Sequence, residues 1–94
     1  MKLKSLQMLV KLADKGSFSA VAYDLGVSQP AVSMQIKSLE DKFDVELVTR
    51  RDKRMDLTPA GRVIYRRAKT IIAEWEQAQL EIEQMKGEAF GQLT

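Results

Sequence analysis

No cysteine and no histidine occur anywhere in this chain of 94 residues. The first absence excludes a disulfide framework and every thiolate metal site, and it fits a reducing, cytoplasmic compartment. The second removes the commonest general base and the commonest metal ligand. Ser17, Ser28 and Ser33 therefore have no imidazole partner, and a Ser-His nucleophile is impossible. There is no glycine-rich phosphate loop, and the neighbouring carboxylates Glu40 and Asp41 do not face each other on a helix. No catalytic residue, cofactor or metal is expected. No apolar run approaches the roughly 18 residues of a membrane span. Lys2, Lys4 and Lys11 interrupt the N-terminal segment before it reaches signal-peptide length, so neither a membrane association nor export is expected. Aromatic residues are few as well. Phe18 and Phe43 fall on apolar helix faces, and no aromatic platform for unpaired bases is evident, which argues against RNA.

What is present is charge, unevenly spread. The net value of +2 conceals a division. Residues 1–67 hold 13 Lys and Arg against 8 Asp and Glu, a net +5, whereas residues 68–94 hold 2 against 5, a net −3. The first part can face a polyanion and the second cannot easily do so.

Apolar spacing predicts three short helices. Leu3, Leu6, Leu9, Val10 and Ala13 form one face, ended by Gly16. Ser17 sits where an N-cap belongs, ahead of Phe18, Val21, Ala22 and Leu25, and Gly26 closes that second helix. The small Ala22 suits a close helix crossing. Ser28 caps a third helix, with Pro30 in its first turn, where the missing N–H costs nothing. Val32, Ile36, Leu39 and Phe43 lie within about 60° of one another and give it a core stripe. The period then changes. Val45–Thr49 reads as a strand, 50–54 as a charged loop longer than two residues, and Met55–Leu57 as a return strand. Thr58-Pro59 opens a last helix of roughly 28 residues, about 40 Å long, which Gly87 is expected to stop.

Two short helices joined by the glycine turn Leu25-Gly26-Val27-Ser28 describe a helix-turn-helix. Alone, this is an ordinary helical corner. The outer face of the third helix adds meaning, because Gln29, Pro30, Ser33, Met34 and Lys37 oppose the core stripe. Gln and Ser suit base edges, Lys suits a phosphate, and the helix N-terminus adds partial positive charge. Asp41 lies further along that face and would repel a phosphate, so only about Gln29–Lys37 is expected in a groove. The following loop supplies Arg50, Arg51, Lys53 and Arg54 against a single Asp52, as a phosphate-contacting wing requires. The order is that of a winged helix-turn-helix on double-stranded DNA, mainly α with a short β-hairpin. The competing class is a protein-interaction module on a degenerate winged helix, whose binding would not weaken steeply with salt.

Gly16-Ser17-Phe18-Ser19, then Val27-Ser28-Gln29-Pro30-Ala31-Val32-Ser33, then Gln35-Ile36 and Leu39-Glu40 resemble the N-terminal signature of LysR-type transcriptional regulators. Leu47, Arg50, Leu57-Thr58 and Ala60-Gly61 continue the likeness, which covers residues 3–72. Val21 stands where the family usually has alanine, Asp44 where it has glycine, Val48 where it has phenylalanine, and Met34 where arginine is frequent. The resemblance implies a bacterial regulator with Ser28, Gln29, Pro30, Ser33, Met34, Lys37, Arg50, Arg51, Lys53 and Arg54 at the DNA. It implies a division into a DNA-binding unit (1–58), a linker helix (59–87) and the start of a hinge (88–94) to a C-terminal effector domain. A small-molecule inducer would act only through that absent domain.

In the final helix Ile64, Ala68, Ile71, Trp75, Ala78, Ile82 and Met85 recur at steps of four and three, a heptad seam of three repeats. Its beginning can pack on the winged body, but the helix is too long for all of it to do so. Ile71, Trp75, Ala78, Ile82 and Met85 are therefore expected to form a homodimer interface, with an interrupted palindrome as the DNA site. The resemblance implies antiparallel linker helices and allows a tetramer of the full-length regulator.

Overall fold

The computed structural model describes residues 2–51 and 54–93, with side-chain detail for residues 2–50 and 54–87. The elements are α1 (Leu3–Lys15), α2 (Phe18–Leu25), α3 (Gln29–Phe43), β1 (Val48–Arg51), β2 (Arg54–Leu57) and α4 (Pro59–Leu93). This is the mainly helical, winged arrangement that the spacing predicts. α1 lies at the centre and packs on α2, α3, α4 and β2. Contact on several sides makes its buried arc wider than one stripe. Leu6, Met8, Leu9 and Leu12 are buried, while Leu3, Val10 and Ala13 sit at the margin. The one buried polar side chain among the described residues, Ser5, donates to Gln35 Oε1 at 2.9 Å and so ties α1 to α3.

The punctuation between helices is local chemistry. Gly16 and Gly26 end α1 and α2 in the left-handed region, at φ 74° and 67°, where glycine has no Cβ to clash. Ser17 Oγ accepts from Ala20 N–H, and Ser28 Oγ accepts from Ala31 N–H, each at 3.2 Å. Thr58 Oγ1 accepts from Gly61 N–H at 3.0 Å and donates to the Glu46 carbonyl at 2.7 Å. α3 ends at Asp44 with φ 55°. An aspartate is one of the few side chains that tolerates this region, so the usual glycine is dispensable here.

Several boundaries depart from the expected ones. β1 begins three residues late, at Val48, and takes up Arg50 and Arg51, which were expected in the loop. Glu40 explains the shift. Its carboxylate accepts from Leu47 N–H at 2.8 Å and Val48 N–H at 3.4 Å, so the Leu47 amide bonds a side chain of α3 and not a partner strand. The hairpin pairs Val48 with Leu57, Thr49 with Asp56, Arg50 with Met55 and Arg51 with Arg54. Only two residues therefore join the strands, not a longer loop. Phe43 does not belong to the core stripe: it is 41% exposed at the end of α3, and the fully buried Leu47 takes its place. Leu25, the last residue of α2, is likewise exposed.

α4 is longer than expected. It passes Gly87 and stays helical to Leu93. A helical glycine costs only about 1 kcal/mol, and the neighbouring Glu, Met, Lys and Ala favour continuation. At 1.5 Å per residue its 35 residues span about 52 Å. The molecule is accordingly elongated, 60 × 26 × 19 Å. Only the beginning of α4 joins the core, through Ala60, Ile64, the fully buried Ala68 and Ile72.

Candidate nucleic-acid interface

The rotation of α3 is fixed from behind. Val32, Ile36 and Leu39 are buried, so the opposite side of the helix must face solvent. Ser28, Gln29 and Pro30 are exposed at its N-terminal end, Met34 is 71% exposed, and Ser33 is half-buried beside them. The first-turn N–H groups and the helix dipole add positive potential at this end. Lys37 is exposed and pairs with Asp41 at 3.7 Å. An exposed pair of this kind is weak, so Lys37 is free to exchange its partner for a stronger anion.

The wing stands beside this face. Strand alternation turns Met55 into the core and leaves Arg54 and Asp56 outside. Arg54 joins Ser17, Ser19, Gln29 and Arg50 around a cleft of about 420 Å³ between the start of α2, the start of α3 and the hairpin. One N-cap serine, a second serine in the first turn of α2, two guanidinium groups and an exposed amide thus converge on one opening. Their donors outnumber their acceptors, and among the described residues no carboxylate lines the cleft. Such a site suits an anion flanked by hydrogen-bond acceptors.

Arg50 has a second engagement. Its guanidinium lies 3.8 Å from the centroid of the Phe18 ring, and Nη2 donates to Ser33 Oγ at 2.8 Å. Thus the side chain expected on phosphate is held against α2 and α3. Of the other wing residues, Arg51 is described only through its backbone, at the end of β1, and Lys53 lies outside the described residues. Glu40, which sets where the wing starts, and the Arg50 clamp escape the sequence reading. Both act across separations that no local pattern encodes.

Away from this face, Asp24 bridges Lys11 at 3.2 Å and Lys15 at 3.6 Å. The hydrogen bond from Lys11, with the charges of Lys15 and Lys11, holds its carboxyl below the ordinary value of 3.8. Tyr23 projects from α2 with 90% of its surface exposed. It stands as a single ring, not a stacking platform.

Along α4, Ile71, Trp75, Ile82 and Met85 are exposed and large, as is Leu80. Trp75, Ala78 and Ile82 line a shallow hollow of about 230 Å³ with Gln79 and Glu83. The seam residue at the end of the winged body is Ile72, not Ile71, because the helix turns its Ile64–Ala68–Ile72 line toward α1. Among the described residues no helix is long and apolar enough to cross a membrane, and no cluster of three potential metal ligands occurs.

Residues 3–62 match the family described as bacterial regulatory helix-turn-helix protein, lysR family. The chain is similar to the nitrogen assimilation regulatory protein nac of Klebsiella aerogenes, with 36% identity over 94 residues, covering 100% of this chain and 31% of that protein. It is also similar to the HTH-type transcriptional regulator TdcA of Escherichia coli strain K12, with 39% identity over 93 residues, covering 99% of this chain and 30% of TdcA. The chain thus spans under a third of the length of these curated relatives. Among solved structures it resembles the BenM_DBD/catB site 1 DNA complex, at a TM-score of 0.86 and 27% identity, over 90% of this chain and 96% of that one.

Proposed function

The chain belongs to the lysR family of bacterial regulatory helix-turn-helix proteins, and from that membership we propose that it binds double-stranded DNA sequence-specifically as part of a transcriptional regulator in the cytoplasm. The carrying observation is the single donor-rich face formed by the N-terminal half of α3 and the wing. A similar solved structure is itself a DNA complex. In this reading residues 1–58 are the DNA-reading unit. Gln29 and Ser33 address base edges, and Pro30 and Met34 make apolar contact, for instance with a thymine methyl. Ser28, Lys37, Arg51, Lys53 and Arg54 address the backbone.

Binding should be measured on the best duplex from a selection on random DNA and on a random duplex. Gln29→Ala should cost about 1–3 kcal/mol on the first and little on the second. An equal loss on both would restrict Gln29 to the backbone. Neutralising Lys53 and Arg54 together should reduce the slope of log K against log salt by roughly 0.9 for each. A parent chain whose binding does not weaken with salt would point to an apolar protein interface instead.

The second part of the proposal concerns α4. Ile72 is the last residue of the helix on its own core, while Ile71, on another face, continues with Trp75, Ala78, Ile82 and Met85 into an apolar ridge flanked by acidic residues. DNA does not suit that ridge, whereas a second copy does, and a two-fold dimer matches an interrupted palindrome. Residues 59–87 are then the linker helix, with 88–94 leading toward an effector domain. An inducer and a tetramer would belong to a longer regulator. Trp75→Ala and Ile82→Glu should each yield a monomer in sedimentation at tens of micromolar and lose operator binding far more than non-specific binding. A parent that sediments as a clean monomer, yet binds a palindrome with full affinity, would remove the interface.

A further inference from the structure

Arg50 and Ser33 are 17 residues apart in sequence and lie on different elements, yet their side chains share one hydrogen bond of 2.8 Å. The direction of that bond has a chemical consequence. A guanidinium carries donors only, so Ser33 Oγ must accept. One lone pair of the hydroxyl is thereby occupied by a positive group, and its proton is left to be given elsewhere. Among the described residues that proton has no acceptor. Ser33 does not make the bond to the carbonyl one turn back that Thr70 makes to Arg66 in α4. A hydroxyl that accepts from a cation is also a stronger donor than a free one, because hydrogen bonds in series polarise each other.

The guanidinium is itself held. Its carbon lies 3.8 Å from the centroid of Phe18, a ring that is buried at the start of α2. On the strand, Arg50 pairs with Met55, whose side chain is buried. Arg50 thus bridges three elements and presents its Nη2 to the middle of the exposed face of α3. A lysine could supply the charge, but its single ammonium cannot both stack flat on Phe18 and fork toward Ser33.

We propose that Arg50 is a positioning residue for base reading: by engaging Ser33 Oγ it makes Ser33 a hydrogen-bond donor, directed to an acceptor such as purine N7, guanine O6 or thymine O4 in the major groove. This rests on the reading that α3 enters the groove. It assigns Arg50 to specificity and removes it from the wing's phosphate contacts.

The test uses the whole 94-residue chain, the best duplex selected from random DNA, and all its single-base-pair variants. Each is measured across a salt series with the parent, Ser33→Ala, Arg50→Met, Arg50→Lys and Ser33→Ala/Arg50→Met. Ser33→Ala should flatten preference at one base-pair position by roughly 5–20-fold, in line with one lost base contact. Arg50→Met and Arg50→Lys should flatten the same position, and the double variant should add less than twofold to either. The salt slope should stay at the parent value in all of them. A slope lowered by roughly 0.9 in Arg50→Met would make Arg50 a phosphate contact and overturn the proposal. So would an Arg50→Lys chain that keeps the parent's preference, since charge alone would then suffice. Flattening spread evenly over all positions would equally overturn it. A parent that binds every duplex alike would overturn the groove reading itself and this assignment with it. A parent that discriminates, with Ser33 and Arg50 acting at different positions, would overturn this assignment alone.

Discussion

The two halves of α4 each carry apolar residues at helical spacing and meet opposite fates. In the first, Ala68 is fully buried, Ile64 and Ile72 pack on the core, and Gly61 lies so close to the wing that an added Cβ would collide with the Leu47 carbonyl oxygen. In the second, Trp75 is 51% exposed and Gly87 has nothing within 4 Å of an added Cβ. A heptad pattern therefore reports that a face is apolar without saying what covers it. The first half is covered by the chain itself, and the second lies open to solvent in the single chain.

The sharpest way to break this contrast is to substitute its glycines. Gly61→Ala should destabilise the chain by 3 kcal/mol or so, the upper end of overpacking costs, because the obstruction is backbone and cannot rotate away. Denaturant unfolding would show it, and an unchanged midpoint would mean that α4 docks less closely than described. Ala68→Leu comes next, at about 1–3 kcal/mol, whereas Ala78→Leu in the outer half, measured dilute enough that the chain is monomeric, should stay within about 0.5 kcal/mol. Equal effects at the two alanines would erase the distinction between the halves. Gly87→Ala should stabilise slightly, by up to about 1 kcal/mol, since the helix continues through it and no neighbour objects. Helical content by circular dichroism would rise or, if Gly87 does end the helix, would not.

The smallest effect concerns the charges of the winged body. Asp24 is held below the ordinary carboxylate value by Lys11 and Lys15, so its pairing stabilises the fold fully at pH values above 3.8. That contribution is lost as the pH falls through the lowered folded value. The stability difference between the parent and Asp24→Asn should stay constant from pH 7 to about pH 5 and shrink in stronger acid. A difference that grows on acidification would reverse the assigned sign.

How much of this was legible in the sequence follows from range. The caps at Ser17, Ser28 and Thr58 each satisfy an N–H three residues on, and Gly16 and Gly26 act at their own φ. Such chemistry is contained in a few adjacent residues and reads directly. The same local rule failed at Gly87, because a glycine that may end a helix need not do so. Glu40 reaches across seven and eight residues to Leu47 and Val48, Arg50 across 17 to Ser33, Ser5 across 30 to Gln35, and Tyr65 across 51 to Asp14. No periodicity carries those pairs, and it was Glu40 that displaced the strand. For the site itself, the exposed half of α3 was legible because Val32, Ile36 and Leu39 leave only one face free. The bond that redirects Arg50 was not, because it depends on where the hairpin lies in space.

The junction of α4 with the wing has a mechanical side. Thr58 N–H donates to the Leu47 carbonyl at 3.0 Å while its hydroxyl holds the Glu46 carbonyl, so the foot of the helix is welded to the base of the hairpin. From that foot the helix runs unbroken for 35 residues. A rod of about 52 Å acts as a lever, and tilting it by about 10° sweeps its far tip through roughly 9 Å. Conversely, a load applied at the tip arrives at the hairpin as torque, with no joint along the shaft to dissipate it. Whatever is fastened to the outer end of α4 can thus steer the angle at which the wing and the recognition helix are presented.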